Sequence, residues 1–371
     1  MIAIITSALF AIAASLPPQN VSPTVPSAIA SQTTGAFEQL AQDAKRAREE
    51  NRDDAAIETY GRALQLKPEW DEGLWYLGTL LYKKENYFEA CTVLRRFLAQ
   101  EPGNAYGLAM LGLSESESHD YVRALGHLKQ GLAIGLGDNR DLTLKSRIVT
   151  ATLLTRSEQF DESMALLFSV MTDGADTLSL EEPFGLAALR LPFLPSEIPP
   201  GRREMIRMAG AATIAIEGRK YADADKIFNE LEARYPDQPG VHFLIGAYLL
   251  SEHPDEGIKE LKREIEIEPA NMPARIRLAQ EYIKQQNLDL GISLAQETLK
   301  LAPYEPLAHM VLGEGLIAKG DSSGGIGELE SASKSLPDEV EVRWDLFRAY
   351  TAVGRKEDAI REKSEIERLS K

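Results

Sequence analysis

At 371 residues and 44% apolar content, the chain has enough apolar material for a sizeable core and is not a disordered chain. Its 41 Lys and Arg stand against 57 Asp and Glu, and the resulting net charge of -16 is the wrong sign for gripping phosphates or anionic lipid headgroups, so no nucleic-acid partner is expected. The single cysteine, Cys91, allows no internal disulfide and reads as a small core residue.

The chain opens with "MIAIITSALFAIAASL", residues 1 to 16, an apolar run shorter than the roughly 18 to 20 residues that a spanning helix needs. It reads as a signal peptide or a membrane anchor. Small-x-small sites at Ala11-Ile12-Ala13 and Ala28-Ile29-Ala30 could be cut, whereas no Lys or Arg precedes the apolar run, as a signal's basic region would require. The protein is therefore expected to be exported, periplasmic or membrane-tethered, and to meet a membrane only through this segment if it stays uncleaved. Residues 17–36, rich in Pro, Ser and Thr and without periodicity, read as a flexible linker.

From Ala36 onward apolar residues recur at three and four spacing, the pattern of amphipathic helix, and nothing alternates like a strand. Prolines close the helical runs at Pro68, Pro102, Pro236, Pro269, Pro303 and Pro337, with gaps of 34, 134, 33, 34 and 34 residues. Proline lacks an N–H and disfavours helix in the residue before it, so each one ends a helix and lets the next begin. A second ladder holds small residues at the same period: Ala56, Ala90, Ala124, Ala224, Gly257, Gly291, Gly325 and Ala359. A third precedes it by twelve or thirteen residues at Ala44, Gly78, Gly112, Ala212, Gly246, Ala279 and Gly313. Small side chains are needed where two antiparallel helices cross closely, so each period is a helical hairpin notched on both arms.

The stretch "LWYLGTLLYKKENYFEACTVLRRFLAQEP" shows one whole unit, with Leu74, Leu77, Gly78 and Leu81 on the first helix and Tyr87, Ala90, Leu94 and Phe97 on the second. Three ladders in one register resemble the tetratricopeptide repeat, in which an aromatic or Leu, then Leu-Gly, then Tyr are followed by Ala, an aromatic and a closing Pro. The resemblance implies an all-α fold, a right-handed superhelical solenoid of antiparallel helix pairs. Units are expected to begin near Phe37, Asp71, Ala105, Leu144, Met205, Pro239, Met272, Pro306 and Val340, which puts repeats 1 to 4 in residues 37–171 and repeats 5 to 9 in 204–371. Between Ala124 and Ala224 the ladder steps by 100 instead of 68, and Ser163 replaces the small residue of unit four. The proline-rich stretch 172–203 reads as an irregular insertion with one short helical run near Leu180 to Arg190.

The sequence offers no catalytic or cofactor constellation. His119, His127, His242, His253 and His309 have no metal-ligand spacing, so no metal site is expected; there is no nucleophile elbow and no phosphate loop, and "GDSSGGIG" at 320–327 follows a helix where a nucleotide loop would follow a strand. In tetratricopeptide arrays the first helices line a concave groove. The corresponding positions here are Trp75, Tyr76, Tyr82, Tyr106, Met110 and Leu113, then Phe243, Leu244, Ile276, Gln280, Met310, Glu314, Trp344 and Arg348. That lining is more aromatic than charged, and Trp and Tyr are frequent binding anchors. The carboxylate clamp of chaperone-binding members is not reproduced, since Ala41, Lys45 and Tyr76 stand at its positions. The resemblance thus implies a non-catalytic scaffold that binds a protein or peptide segment, with an accessory subunit of an envelope assembly, secretion or pilus-biogenesis complex as the alternative. An enzyme with its site in the 172–203 insertion is the third reading.

Overall fold

The computed structural model describes residues 27–370, with side chains from residue 33; the expected signal or anchor at residues 1–16 lies outside them. Among the described residues there are nineteen α-helices and no strand. The chain divides into two compact units, one up to Ser114 and one from Glu115 onward. The first holds α1 (Ser27–Glu49), α2 (Asp53–Leu66), α3 (Asp71–Lys83), α4 (Tyr87–Gln100) and most of α5 (Ala105–Glu117). The second begins in the last turn of α5 and continues through α6 (Tyr121–Ile134), α7 (Arg140–Arg156), α8 (Phe160–Thr172), α9 (Thr177–Ala188), α10 (Arg203–Glu217) and α11 (Tyr221–Arg234). It ends with α12 (Val241–Leu249), α13 (Pro254–Ile267), α14 (Met272–Lys284), α15 (Leu288–Leu301), α16 (Pro306–Lys319), α17 (Ser322–Ser335), α18 (Val340–Ala352) and α19 (Lys356–Leu369).

The helices follow one another in pairs from α1 and α2 to α18 and α19, with α9 an additional one between α8 and α10. Within each unit of the fold successive helices pack as hairpins: α1 on α2, α3 on α4, α7 on α8, α10 on α11, and so to α18 on α19. Both small-residue ladders lie at these crossings. A Cβ built on Gly325 would stand 2.6 Å from the Gly313 carbonyl oxygen, and one on Gly257 would stand 2.9 Å from that of Gly246, so the two backbones leave no room for a side chain. Ser163 serves the same end in α8, for its buried hydroxyl donates to the Ala151 carbonyl at 2.8 Å and meets the Thr155 hydroxyl at 2.8 Å.

Eight hairpin turns share one closure. A residue one or two positions past the first helix takes the left-handed conformation, at Asn51, Glu85, His119, Glu158, Arg219, Gln286, Gly320 and Gly354. The next amide then donates five residues back, as Asn86 does to the Leu81 carbonyl and Asn287 to that of Tyr282.

In the C-terminal repeats the closing prolines have a second use. His242, Arg275, His309 and Arg343 recur at the period of the repeat, each six residues after a closing proline. Nε2 of His242 donates to the Pro236 carbonyl at 2.7 Å, Arg275 Nε to that of Pro269 at 2.7 Å, His309 Nε2 to that of Pro303 at 3.1 Å and Arg343 to that of Pro337 at 2.8 Å. The other end of each side chain meets a second-helix carboxylate, namely Glu260, Glu297, Glu328 or Glu362. These fasteners tie each closing turn to the hairpin that follows it.

Two boundaries differ from expectation. The linker assigned to 17–36 ends at Ser27, where α1 begins, because no proline interrupts the sequence from there to Phe37. In the stretch 172–203 the short helical run expected near Leu180 to Arg190 is α9, the residues from 189 to 202 hold only two 3-10 turns, and the chain does not divide there. Its α9 lies flush against α10: a Cβ on Gly185 would collide with the Ile206 carbonyl, and one on Gly210 with the Glu181 carbonyl. The division falls instead between Ser114 and Glu115.

Candidate functional site

In the N-terminal unit the expected aromatic cluster separates into three settings. Trp75 packs on Phe97 with ring centroids 5.6 Å apart and, with the half-exposed Tyr106, borders a cavity of about 350 Å³. Tyr76 faces elsewhere, toward Tyr60 at 6.0 Å, with the Arg48 guanidinium 3.4 Å above its ring. Tyr82, the penultimate residue of α3, lies against Tyr87, at 5.5 Å. The four residues therefore do not form one continuous patch, because adjacent positions on a helix are rotated by about 100° and Trp75 and Tyr76 cannot share a face. Met110 packs against the buried core and Leu113 belongs to it.

In the C-terminal unit α12 touches α14, α14 touches α16 and α16 touches α18, so the first helices of successive repeats lie side by side. A cleft of about 390 Å³ runs across them, lined by Ala247 of α12 and by Leu250 and Ser251 just after it, Arg277, Gln280, Glu281 and Lys284 of α14, Glu314 of α16 and Glu341 of α18. This lining is polar and charged, contrary to the aromatic expectation. Ile276 and Met310 are 6% and 2% exposed and belong to helix seams, so neither is available to a partner. Each follows a residue that reaches for the closing turn, and the register that presents Arg275 and His309 to the proline carbonyls turns their neighbours inward. Phe243 is half-buried against the core, whereas Trp344 and Arg348 are exposed, the former edge-on to Phe347 at 5.7 Å.

Glu314 of the cleft meets Asp345, outside the lining, in a carboxyl pair that the sequence did not single out. Asp345 is buried, its Oδ1 paired with Arg348, while its Oδ2 has no other donor within reach. Glu314 supplies one: burial first, then the charge of Asp345 and a hydrogen bond to it, push the Glu314 carboxyl up to about 8, so at neutral pH it holds a proton to share with Asp345. Paired acids of this kind also mark hydrolytic sites. Here the pair lies in the seam between α16 and α18 and satisfies itself and Arg348.

Glu232, His242 and Glu260 converge closely enough to suggest a metal site. The imidazole cannot serve it, because Nδ1 lies 2.6 Å from the Glu260 carboxylate and Nε2 is 2.7 Å from the Pro236 carbonyl. Two acceptors require two protons, and the hydrogen bond to Glu260 accordingly raises the His242 pKa. The stretch 172–203, where the enzyme reading places its site, borders a cavity of about 550 Å³ whose floor includes Met171, Ala211 and Ile214. Its Glu181 is engaged by Arg207 at 3.0 Å.

Hairpins at a 34-residue period, notched on both arms and stacked in chain order within each unit, define the class: an all-α array of tetratricopeptide-type helix pairs. No protein-family profile matches the sequence, and no curated protein matches it. Among solved structures, the chain overlaps those of MamA. A MamA RS-1 double mutant is 14% identical over 45% of this chain and 94% of its own, with a TM-score of 0.41. MamA 41-end from Desulfovibrio magneticus RS-1 is 14% identical over 45% and 93%, with a TM-score of 0.38, and MamA AMB-1 is 20% identical over 45% and 92%, with a TM-score of 0.36.

Proposed function

We propose that this chain is a non-catalytic scaffold which holds an extended peptide or a helix of a partner protein along the first-helix face of its C-terminal repeats. The observation that carries the reading is the cleft over α12, α14, α16 and α18, to which each successive repeat contributes side chains. A surface built one increment per repeat suits a linear ligand, whose own residues advance in regular steps. Gln280 stands in the middle of it, and its amide can donate to or accept from a backbone. In the same reading the apolar start serves export or tethering. No helix among the described residues is long and apolar enough to cross a membrane. Sequencing the mature N-terminus tests that part: cleavage between Ala13 and Ser31 supports export, and an intact Met1 in the soluble cytosol removes it.

The binding face is tested with a photo-crosslinking residue at Gln280 and, as control, at the exposed Gln296 of α15. A single partner joined from position 280 and not from 296 supports the first-helix face. Equal joining from both positions, or joining from 296 alone, overturns it.

A further inference from the structure

The cavity beside Trp75 brings aromatic rings and carboxylates together. Its lining includes three aromatic rings, Trp75, Phe97 and Tyr106, and three carboxylates, Asp71, Glu72 and Glu101, with no basic side chain. Phe97 forms the floor at 6% exposure, and it fits beneath α5 because Gly107 has no Cβ, which would come within 2.8 Å of the ring. Asn104 is committed to the fold, since its Oδ1 accepts from the Gly107 amide at 2.9 Å. None of the three carboxylates takes part in an ion pair among the described residues.

Other rings in the chain show what is missing here. The Arg48 guanidinium lies 3.4 Å over Tyr76, Arg190 lies 4.8 Å over Phe160 and Arg355 lies 4.4 Å over Tyr350. Around Trp75, Phe97 and Tyr106 the rings are in place and the cation is not. Trp is the strongest of the aromatic cation acceptors, and a planar guanidinium can stack on a ring while its edge donates to carboxylates, which an ammonium does less well. We propose that this cavity is a socket for an arginine side chain of a partner protein, stacked on Trp75 and Tyr106 and paired with Glu72 and Glu101. The socket lies wholly within the N-terminal unit and does not depend on the first-helix cleft of the C-terminal repeats.

The test uses the full chain labelled with 5-fluorotryptophan, which gives separate fluorine resonances for Trp70, Trp75 and Trp344. The probes are three acetylated and amidated nine-residue Gly-Ser peptides with arginine, citrulline or lysine at the centre. A saturable shift of the Trp75 resonance with the arginine peptide is expected, at least fivefold weaker with citrulline, which keeps the shape and loses the charge, and weaker with lysine. The Glu72→Gln, Glu101→Gln double variant, at an unchanged melting temperature, should weaken the arginine peptide at least fivefold. Tyr106→Ala, which truncates a half-exposed ring, should weaken it too. Absence of a saturable Trp75 shift overturns the socket. Equal affinity for citrulline, lysine affinity at or above that of arginine, or indifference to the double variant overturns the guanidinium assignment.

Discussion

Replacing Gly291 with leucine probes the hairpin crossing where its geometry is tightest. A Cβ built on Gly291 would stand 2.5 Å from Cγ1 of Ile283 and 3.0 Å from the Ala279 carbonyl oxygen, against the roughly 3.5–4.0 Å that carbon atoms prefer. Ile283 is 8% exposed and has little space to retreat into, and the Ala279 carbonyl belongs to the backbone of α14, so relief requires the two helix axes to part. Overpacking of this kind costs about 1–3 kcal/mol, and with four new carbons against backbone the upper end applies. Leucine returns about 0.8–1 kcal/mol through its better helix propensity, which leaves a net loss of about 2 kcal/mol. Gly327 on the exposed side of α17 provides the control, since nothing lies within 4 Å of its Cβ position, and Gly327→Leu should gain about 0.8 kcal/mol. Hydrogen exchange read on the α14 and α15 amides separates local opening from global unfolding, which matters in an array whose repeats need not unfold together. Gly291→Leu should lower the opening free energy of both helices. Unchanged protection there, or the same loss from Gly327→Leu, would refute the close-crossing account of the ladder.

Three further outcomes follow from the side chains described. His242 has a raised pKa in the folded state, from Glu260 and the Pro236 carbonyl with Glu232 nearby, so its contribution is fully present below the ordinary histidine value near 6.5 and is lost as pH rises through the higher folded value. Thermal melts of the parent should fall over that window and those of His242→Asn should not; parallel curves would discard the imidazolium. Glu314, raised to about 8, binds its proton more tightly folded than unfolded, so the parent loses stability from near pH 4.5 up to about 8, and Glu314→Gln should flatten the profile and melt higher than the parent at pH 9. A parent more stable than the variant at that pH contradicts the shared proton. Gln286 sits at φ 61, where glycine is free of the Cβ penalty, and Gln286→Gly should stabilise the turn by about 0.5–1 kcal/mol in chemical denaturation; a destabilised variant would mean that the Gln286 side chain contributes more than its strain costs.

What could be read in advance was whatever recurs with the period. Ala279, Gly291, Gly313 and Gly325 announce a crossing because only small residues survive where backbones touch, and the constraint repeats every 34 residues. The α9 and α10 crossing rests on the same physics but on one pair, Gly185 and Gly210, outside the register, so the helical run near Leu180 to Arg190 was legible and its close packing on α10 was not. Site residues were less legible. Reading Trp75 and Tyr76 onto one face followed family positions and disregarded the rotation between neighbours. Ile276 and Met310 were assigned to a surface that the fasteners at Arg275 and His309 turn them away from. The Glu314 and Asp345 pair could not stand out by composition in a chain with 57 acidic residues; burial distinguishes it, and burial is a property of the packed array.

The four fasteners at His242, Arg275, His309 and Arg343 bear on how such a chain can grow. Each involves one closing proline, the His or Arg six residues on and a carboxylate of the same hairpin, and none reaches beyond its own period. Excising Pro269 through Ala302 would join Glu268 to Pro303 and leave the remaining three sets of partners whole. Nothing in the joint records how many joints there are. Copy number is therefore open to change by duplication or loss in whole periods, and the span offered to a ligand would lengthen or shorten with it, one hairpin at a time.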